Sequence, residues 1–266
     1  MTDISLRFEP PFARIILNRP ERRNAMTRAM WRALPAIRNA IEARDEMLVA
    51  LLQGEGAHFS AGADISEFDD VYRDAAATRD YGDAVQDGLR ALIELDRPTI
   101  AVIRGVAVGG GLGLALACDL RFCDADAHLA ITPAKLGLIY GHAETRRLVE
   151  LVGPARAKDL LFTGRRIETD EALAIGLIDR RIETALEETV LGYARGLIEL
   201  SQASIRGAKR AVDAIAGGMS EETAEFRALV EAAALGPDFA EGRAAFAARR
   251  TAKFRFRGPT APLARG

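Results

Sequence analysis

The sequence predicts an α/β chain that gives way to an all-helical C-terminal part. Three observations carry this. Short apolar runs such as Leu48–Gln53 and Thr99–Ile103 alternate with longer amphipathic segments up to about residue 143. From about residue 186 onward only helical patterns remain. Two glycine-rich stretches each follow one of the apolar runs and lead towards a helix.

In chain order, Ile4–Glu9 and Ala13–Asn18 read as two short strands around Pro10-Pro11. Met26–Ala43 reads as a helix, with Met30, Leu34, Ile37 and Ile41 on one face. Leu48–Gln53 is a buried strand bounded by Gly54. Ala84–Leu95 is helical by pattern and ends before Arg97-Pro98. Thr99–Ile103 is a buried, β-branched strand, followed by glycine-rich chain and an apolar helix through Ala117. Leu120–Cys123 and His128–Ile131 are strands again. Beyond residue 143 helices dominate, with short β-like runs at Arg166–Glu168 and Ile178–Ile182. The final helices break at Gly217-Gly218 and Gly236-Pro237, and the basic tail Lys253–Gly266 is expected to be partly extended.

A length of 266 residues suits one large domain, or one domain with a helical appendix. Apolar residues at 49% and charged residues at 28% fit a packed soluble protein. A net charge of −2 argues against nucleic acid as partner, while leaving room for a local basic patch. The two cysteines, Cys118 and Cys123, match no metal or redox spacing and read as buried free thiols. No stretch approaches the roughly 20 apolar residues of a membrane span, and the N-terminus has no signal-peptide pattern. A reducing, cytoplasmic compartment is the expectation, with no metal.

The first glycine-rich stretch is His58-Phe59-Ser60-Ala61-Gly62-Ala63-Asp64-Ile65. Its small residues let the backbone approach a ligand, and a helix can begin at Asp64. The second runs from Arg104 to Leu114 through Gly109-Gly110-Gly111. It opens a helix whose N-terminal N–H groups, unpaired and partly positive, suit a small anion or a polarised oxygen. Gly109-x-Gly111-x-Gly113 does not have dinucleotide-binding spacing, so no nicotinamide or flavin is implied.

Together, about 45 residues apart and in this order, the two stretches resemble those of the enoyl-CoA hydratase/isomerase (crotonase) family. The resemblance extends over Leu17–Met26, Phe59–Ile65, Arg97–Gly111, Ala117–Arg121, Thr163-Gly164 and Ala172–Ile178. It implies a spiral of ββα repeats spanning residues 1–195. A C-terminal helical oligomerisation region at 196–266 follows, giving a homotrimer or a hexamer of two trimers. It implies an acyl-CoA thioester substrate, coenzyme A being part of that substrate rather than a cofactor. The backbone N–H groups of Ala63 and Gly110 match the family's two oxyanion donors. Two preorganised donors stabilise the enolate-like charge on a thioester oxygen more than the ground state. Arg22, Arg23 and Ala25 fall where the family meets the nucleotide end of coenzyme A. Ala61, Asp64 and Ile65 fall where it meets adenine and pantetheine, and Lys253 and Phe254 match a C-terminal stretch used for the same ligand.

The sequence departs from the hydratase pattern where hydratases carry two glutamates. Gly113 stands at the first position and Pro133 at the second, and neither takes up a proton. General acid–base help is worth roughly 10²–10⁴-fold, so the two-glutamate route is in doubt. Tyr140 and Glu144 are the candidates for a relocated proton-transfer group. The run Thr132–Tyr140 also resembles methylmalonyl-CoA decarboxylases, which lack the glutamate pair, although those carry histidine where this chain has Ala63. A decarboxylase and a non-catalytic acyl-CoA-binding subunit are the alternatives. His142 is read as a loop histidine, and His58 and His128 as structural.

Overall fold

The computed structural model describes residues 2–256; of the tail expected at Lys253–Gly266, residues 257–266 lie outside the described residues. The strands are β1 (Ile4–Glu9), β2 (Phe12–Leu17), β3 (Val49–Gly54), β4 (Thr99–Ile103), β5 (Val106–Val108), β6 (Leu120–Asp124), β7 (His128–Ala130), β8 (Arg166–Ile167) and β9 (Arg180–Ile182). The helices are α1 (Arg28–Glu42), α2 (Phe68–Val71), α3 (Ala75–Ile93), α4 (Gly110–Ala117), α5 (His142–Thr163), α6 (Thr169–Ala174), α7 (Leu186–Ile198), α8 (Gln202–Ala216), α9 (Ala224–Ala234) and α10 (Pro237–Ala247).

A larger sheet has the order β1-β2-β3-β4-β6-β9, and a smaller one the order β5-β7-β8. Among the described residues only β1–β2 and β7–β8 pair antiparallel. The central strands are apolar on both faces because both are covered. Ala50, Leu52, Ala101 and Ile103 face the main core under α1, α3 and α4. Val49, Leu51, Ile100 and Val102 pack on Val190 and Ala194 of α7. A parallel strand buried on two sides reads as a continuous apolar run rather than an alternating one. Helix α8 is tied to this core by Lys209, whose Nζ lies 2.8 Å from Asp119 Oδ2 and 3.0 Å from the Arg97 carbonyl. Helix α9 fully buries none of its residues within the chain.

Two boundaries differ from the sequence expectation. Helix α1 starts at Arg28, capped by the Thr27 side chain, rather than at Met26. Met26 is held outside the helix because its N–H donates to Gly62 O (2.7 Å) and its carbonyl accepts from Asp64 N (2.9 Å). Helix α3 starts at Ala75 rather than Ala84, with Asp74 accepting from Ala77 N. Ala77, Tyr81 and Ala84, spaced by one helical turn, bury that extra length. Cys118 and Cys123 are free and buried, and burial pushes both thiols up to about 12. Among the described residues no helix is long and apolar enough to cross a membrane.

Candidate active site

The two glycine-rich stretches are zipped together by their backbones. Ser60 N donates to Val106 O at 2.9 Å, and Val108 N donates to Ser60 O at 3.0 Å. At two positions the chains come closer than any side chain permits. A Cβ on Gly62, whose φ is +98°, would lie 2.6 Å from Val108 O and 3.5 Å from Gly110 N. One on Gly111 would lie 2.5 Å from Ser60 O. The Ser60 hydroxyl locks the first loop by donating to Asn24 O (2.8 Å) and accepting from Gly62 N (3.2 Å).

This packing brings residues 63 and 110 side by side. Ala63 N lies 3.8 Å from where a Cβ on Gly110 would be. Among the described residues neither the Ala63 nor the Gly110 N–H has a hydrogen-bond partner. Gly110 is the first residue of α4, where an N–H has no carbonyl one turn back to bond. Both residues line a cavity of about 490 Å³ that also takes in Trp31, Tyr81, Tyr140 and Glu144. Among the described residues no Lys, Arg or His lines it.

The space above Gly113 is filled from the opposite side. A Cβ there would lie 3.0 Å from Glu144 Cγ, 3.7 Å from Glu144 Oε1 and 3.1 Å from Tyr140 Oη. Glu144 occupies the third position of α5 and is only 6% exposed. Its Oε2 has no hydrogen-bond partner. Burial pushes its carboxyl above the ordinary carboxylate range, against a partial offset from its own backbone N–H. Tyr140 does not offer its hydroxyl to the cavity: it donates to Gly109 O at 2.9 Å. Burial, with the Glu144 charge adding to it, holds that hydroxyl well above its ordinary value, so it stays protonated.

The enoyl-CoA hydratase/isomerase family model matches residues 8–257. The crotonyl-CoA hydratase of Syntrophomonas wolfei is 34% identical over 263 residues, covering 95% of this chain and 97% of the relative. The Δ(3,5)-Δ(2,4)-dienoyl-CoA isomerase of Arabidopsis thaliana peroxisomes is 28% identical over 207 residues, covering 73% and 74%. A crystal structure from Hyphomonas neptunium, assigned to the same family, superposes with a TM-score of 0.93 at 40% identity, covering 96% and 98%.

The chain belongs to the enoyl-CoA hydratase/isomerase family.

The remaining residues that the family pattern singles out differ in where they sit. Arg22 and Arg23 are exposed, and the Arg23 carbonyl accepts from Ala61 N at 2.9 Å, which ties the arginine segment to the first glycine loop. Ala61 and Ile65 line the cavity, and Ile65 is 67% exposed at its mouth. Ala25 is buried, with its carbonyl taken by Arg19. Asp64, expected at the ligand, is bonded within the chain. Its carboxylate is engaged by Arg19 at 2.7 Å and caps the turn Ile65–Glu67 through Ser66, and it does not line the cavity. Lys253 and Phe254, expected at the same ligand, lie away from the cavity within the single chain. The Lys253 N–H donates to Glu241, Phe254 lies against Gly242 of α10, and neither reaches the cavity.

His142 is exposed and does not line the cavity. Pro133 lines it, at the start of the turn Pro133–Leu136. Sequence reasoning missed Trp31, which backs Gly110 with its Cζ2 3.3 Å from the Cβ position. It also missed Tyr72 and Tyr81, whose rings meet edge to face at 5.9 Å. Helix-spaced aromatics read as core, and the available signal was the Asp74 cap that lengthens α3.

Proposed function

We propose that this acyl-CoA enzyme shifts the double bond of an enoyl-CoA thioester, with Glu144 as its single acid–base group. The observation that carries the reading is the Glu144 carboxylate, buried and with Oε2 unpartnered, filling the space that Gly113 leaves empty. The ionised carboxylate takes a proton from C2 of a 3-enoyl thioester. The electron pair moves onto the thioester oxygen, held by the N–H groups of Ala63 and Gly110. The proton returns from Glu144 to C4 and the double bond settles between C2 and C3. One carboxylate suffices, because the group that removes the proton also returns it. Hydration by the family's two-glutamate route needs a second group, and Gly113 and Pro133 supply none.

The decarboxylase reading is less well supported. A substrate carboxylate beside Glu144 would face a like charge, with no lysine, arginine or histidine among the described residues lining the cavity. The Tyr140 hydroxyl is already engaged by Gly109. A purely binding subunit would gain nothing from a desolvated, half-unpaired carboxylate, which burial makes unfavourable.

Turnover of a 3-enoyl-CoA, crotonyl-CoA and methylmalonyl-CoA, measured side by side, tests the proposal. The 3-enoyl-CoA is expected to react, with Glu144→Gln slowing it by about 10²–10⁴-fold. Turnover of methylmalonyl-CoA alone, or acyl-CoA binding with no turnover, overturns it.

A further inference from the structure

We propose that Tyr140 is a positioning residue for the oxyanion hole, holding in place the peptide unit that presents the Gly110 N–H. The inference rests on the reading of Ala63 and Gly110 as oxyanion donors and adds a part to it. The carbonyl that Tyr140 bonds at 2.9 Å belongs to Gly109. That C=O and the Gly110 N–H are two ends of one planar peptide unit, so fixing the oxygen fixes the direction of the hydrogen.

The unit needs external support. It lies within Gly109-Gly110-Gly111, and Gly109 adopts φ 52° and ψ −121°, where side-chain-bearing residues are rarely found. Gly113 N, at 3.0 Å, supplies one anchor to the Gly109 oxygen as the first bond of α4. The Tyr140 hydroxyl supplies the second, from the segment that leads into α5. A donor on the carbonyl also polarises the amide and strengthens the hydrogen bond made at its other end; such cooperative gains are on the order of 10–30% per bond. The phenol is suited to this work and not to proton transfer. It is 9% exposed, and its raised pKa keeps it a donor across the working pH range.

The test uses the thioester C=O stretch of a bound cinnamoyl-CoA, read by isotope-edited Raman, together with kcat and KM. Wild type is expected to shift the stretch to lower frequency. Tyr140→Phe keeps the ring and removes only the hydroxyl. It is expected to reduce that shift and to lower kcat by roughly 5–30-fold, less than the 10²–10³-fold typical of losing an oxyanion donor outright. KM should stay within about threefold, since the affected bond strengthens in the transition state. Replacing Tyr140 with 3-fluorotyrosine, a stronger donor of nearly the same shape, is expected to move the stretch further down. This second variant decides the matter if Tyr140→Phe folds poorly. A wild-type frequency in both variants overturns the positioning role while leaving the hole intact. An unshifted stretch in bound wild type removes the hole itself, and the Tyr140 role with it.

Discussion

Gly113→Ala places one methyl group between α4 and the proposed base. Its Cβ would lie 3.0 Å from Glu144 Cγ and 3.1 Å from Tyr140 Oη. Carbon atoms in comfortable contact sit about 3.5–4.0 Å apart, so the Glu144 side chain must retreat by roughly 0.5–1 Å. A misplacement of about 1 Å in a reacting group can lower a rate by about 10²-fold, so the expected loss in kcat is about 10–10²-fold. Stability should change little. An alanine in a helix interior gains about 0.5–1 kcal/mol over glycine, and overpacking takes back about 1–3 kcal/mol. The assay is the rate of conjugated enoyl thioester formation from a 3-enoyl-CoA, with a thermal melt alongside. The partner experiment moves the carboxylate back to α4. Gly113→Glu combined with Glu144→Ala should recover at least about tenfold over Glu144→Ala alone, within the range a general base supplies. A Gly113→Ala enzyme of wild-type rate, or a Glu144→Ala enzyme that loses nothing, would refute the spatial exchange between residues 113 and 144.

Three further outcomes follow from the same geometry. Burial raises the Glu144 pKa, so the folded state holds this proton more tightly than the unfolded chain; stability is then lost as pH rises from the ordinary carboxylate value of about 4.3 through the raised one. Glu144→Gln should therefore melt higher than wild type at pH 8 and equal to it near pH 4, and the acid limb of wild-type kcat should lie above the ordinary carboxylate range. Asp64→Ala leaves Arg19 without its 2.7 Å partner in a site where Asp64 is 7% exposed; calorimetry should show a loss of about 3 kcal/mol, and an unchanged melt would contradict the ion-pair role. Gly111→Ala would set a Cβ 2.5 Å from Ser60 O, forcing the two loops apart; turnover should fall by about 10²–10³-fold while acyl-CoA still binds by equilibrium dialysis.

The strands around the site were legible because they are buried on both faces: Thr99–Ile103 has the observed bounds of β4, and Leu48–Gln53 is shifted by one residue from β3. The glycine stretches were legible as close approaches, and the family pattern named residues 63 and 110 before any geometry was known. Three things were not legible. The first part of α3 is hidden by Gly82 and by the charges of residues 79–83, which leave the Asp74 cap as its one signal in the sequence, and burial of Ala77 and Tyr81 reveals it in three dimensions. Tyr140 looked like a group for the enolate, and nothing in its neighbours on the chain says that Gly109, 31 residues away, takes its hydroxyl. The link between Gly113 and Glu144 is likewise tertiary, made by one helix crossing the N-terminus of another. Sequence showed one carboxylate missing and another present; the contact that relates them appears only in three dimensions.

If Ala63 and Gly110 are the oxyanion donors as proposed, that crossing gives a way for one fold to keep the hole while changing the group that works beside it. In the proposed reading the hole is built from backbone, so it depends on the close approach of Gly62 to Val108 and of Gly111 to Ser60, and residue 113 supplies none of its donors. The carboxylate is free to arrive from another element, provided its site keeps it ionisable. Helix α5 meets that condition because Glu144 lies in its first turn, where the partial positive charge of a helix N-terminus favours an anion by about 0.3–1 kcal/mol at exposed positions, and more when partly buried. Burial works in the opposite direction and wins, leaving the pKa raised. In the proposed mechanism, burial makes this carboxylate a stronger base towards carbon beside a thioester, while the helix terminus works against that rise. In the proposed mechanism the placement of charge around the hole, rather than the hole itself, would select double-bond migration over hydration.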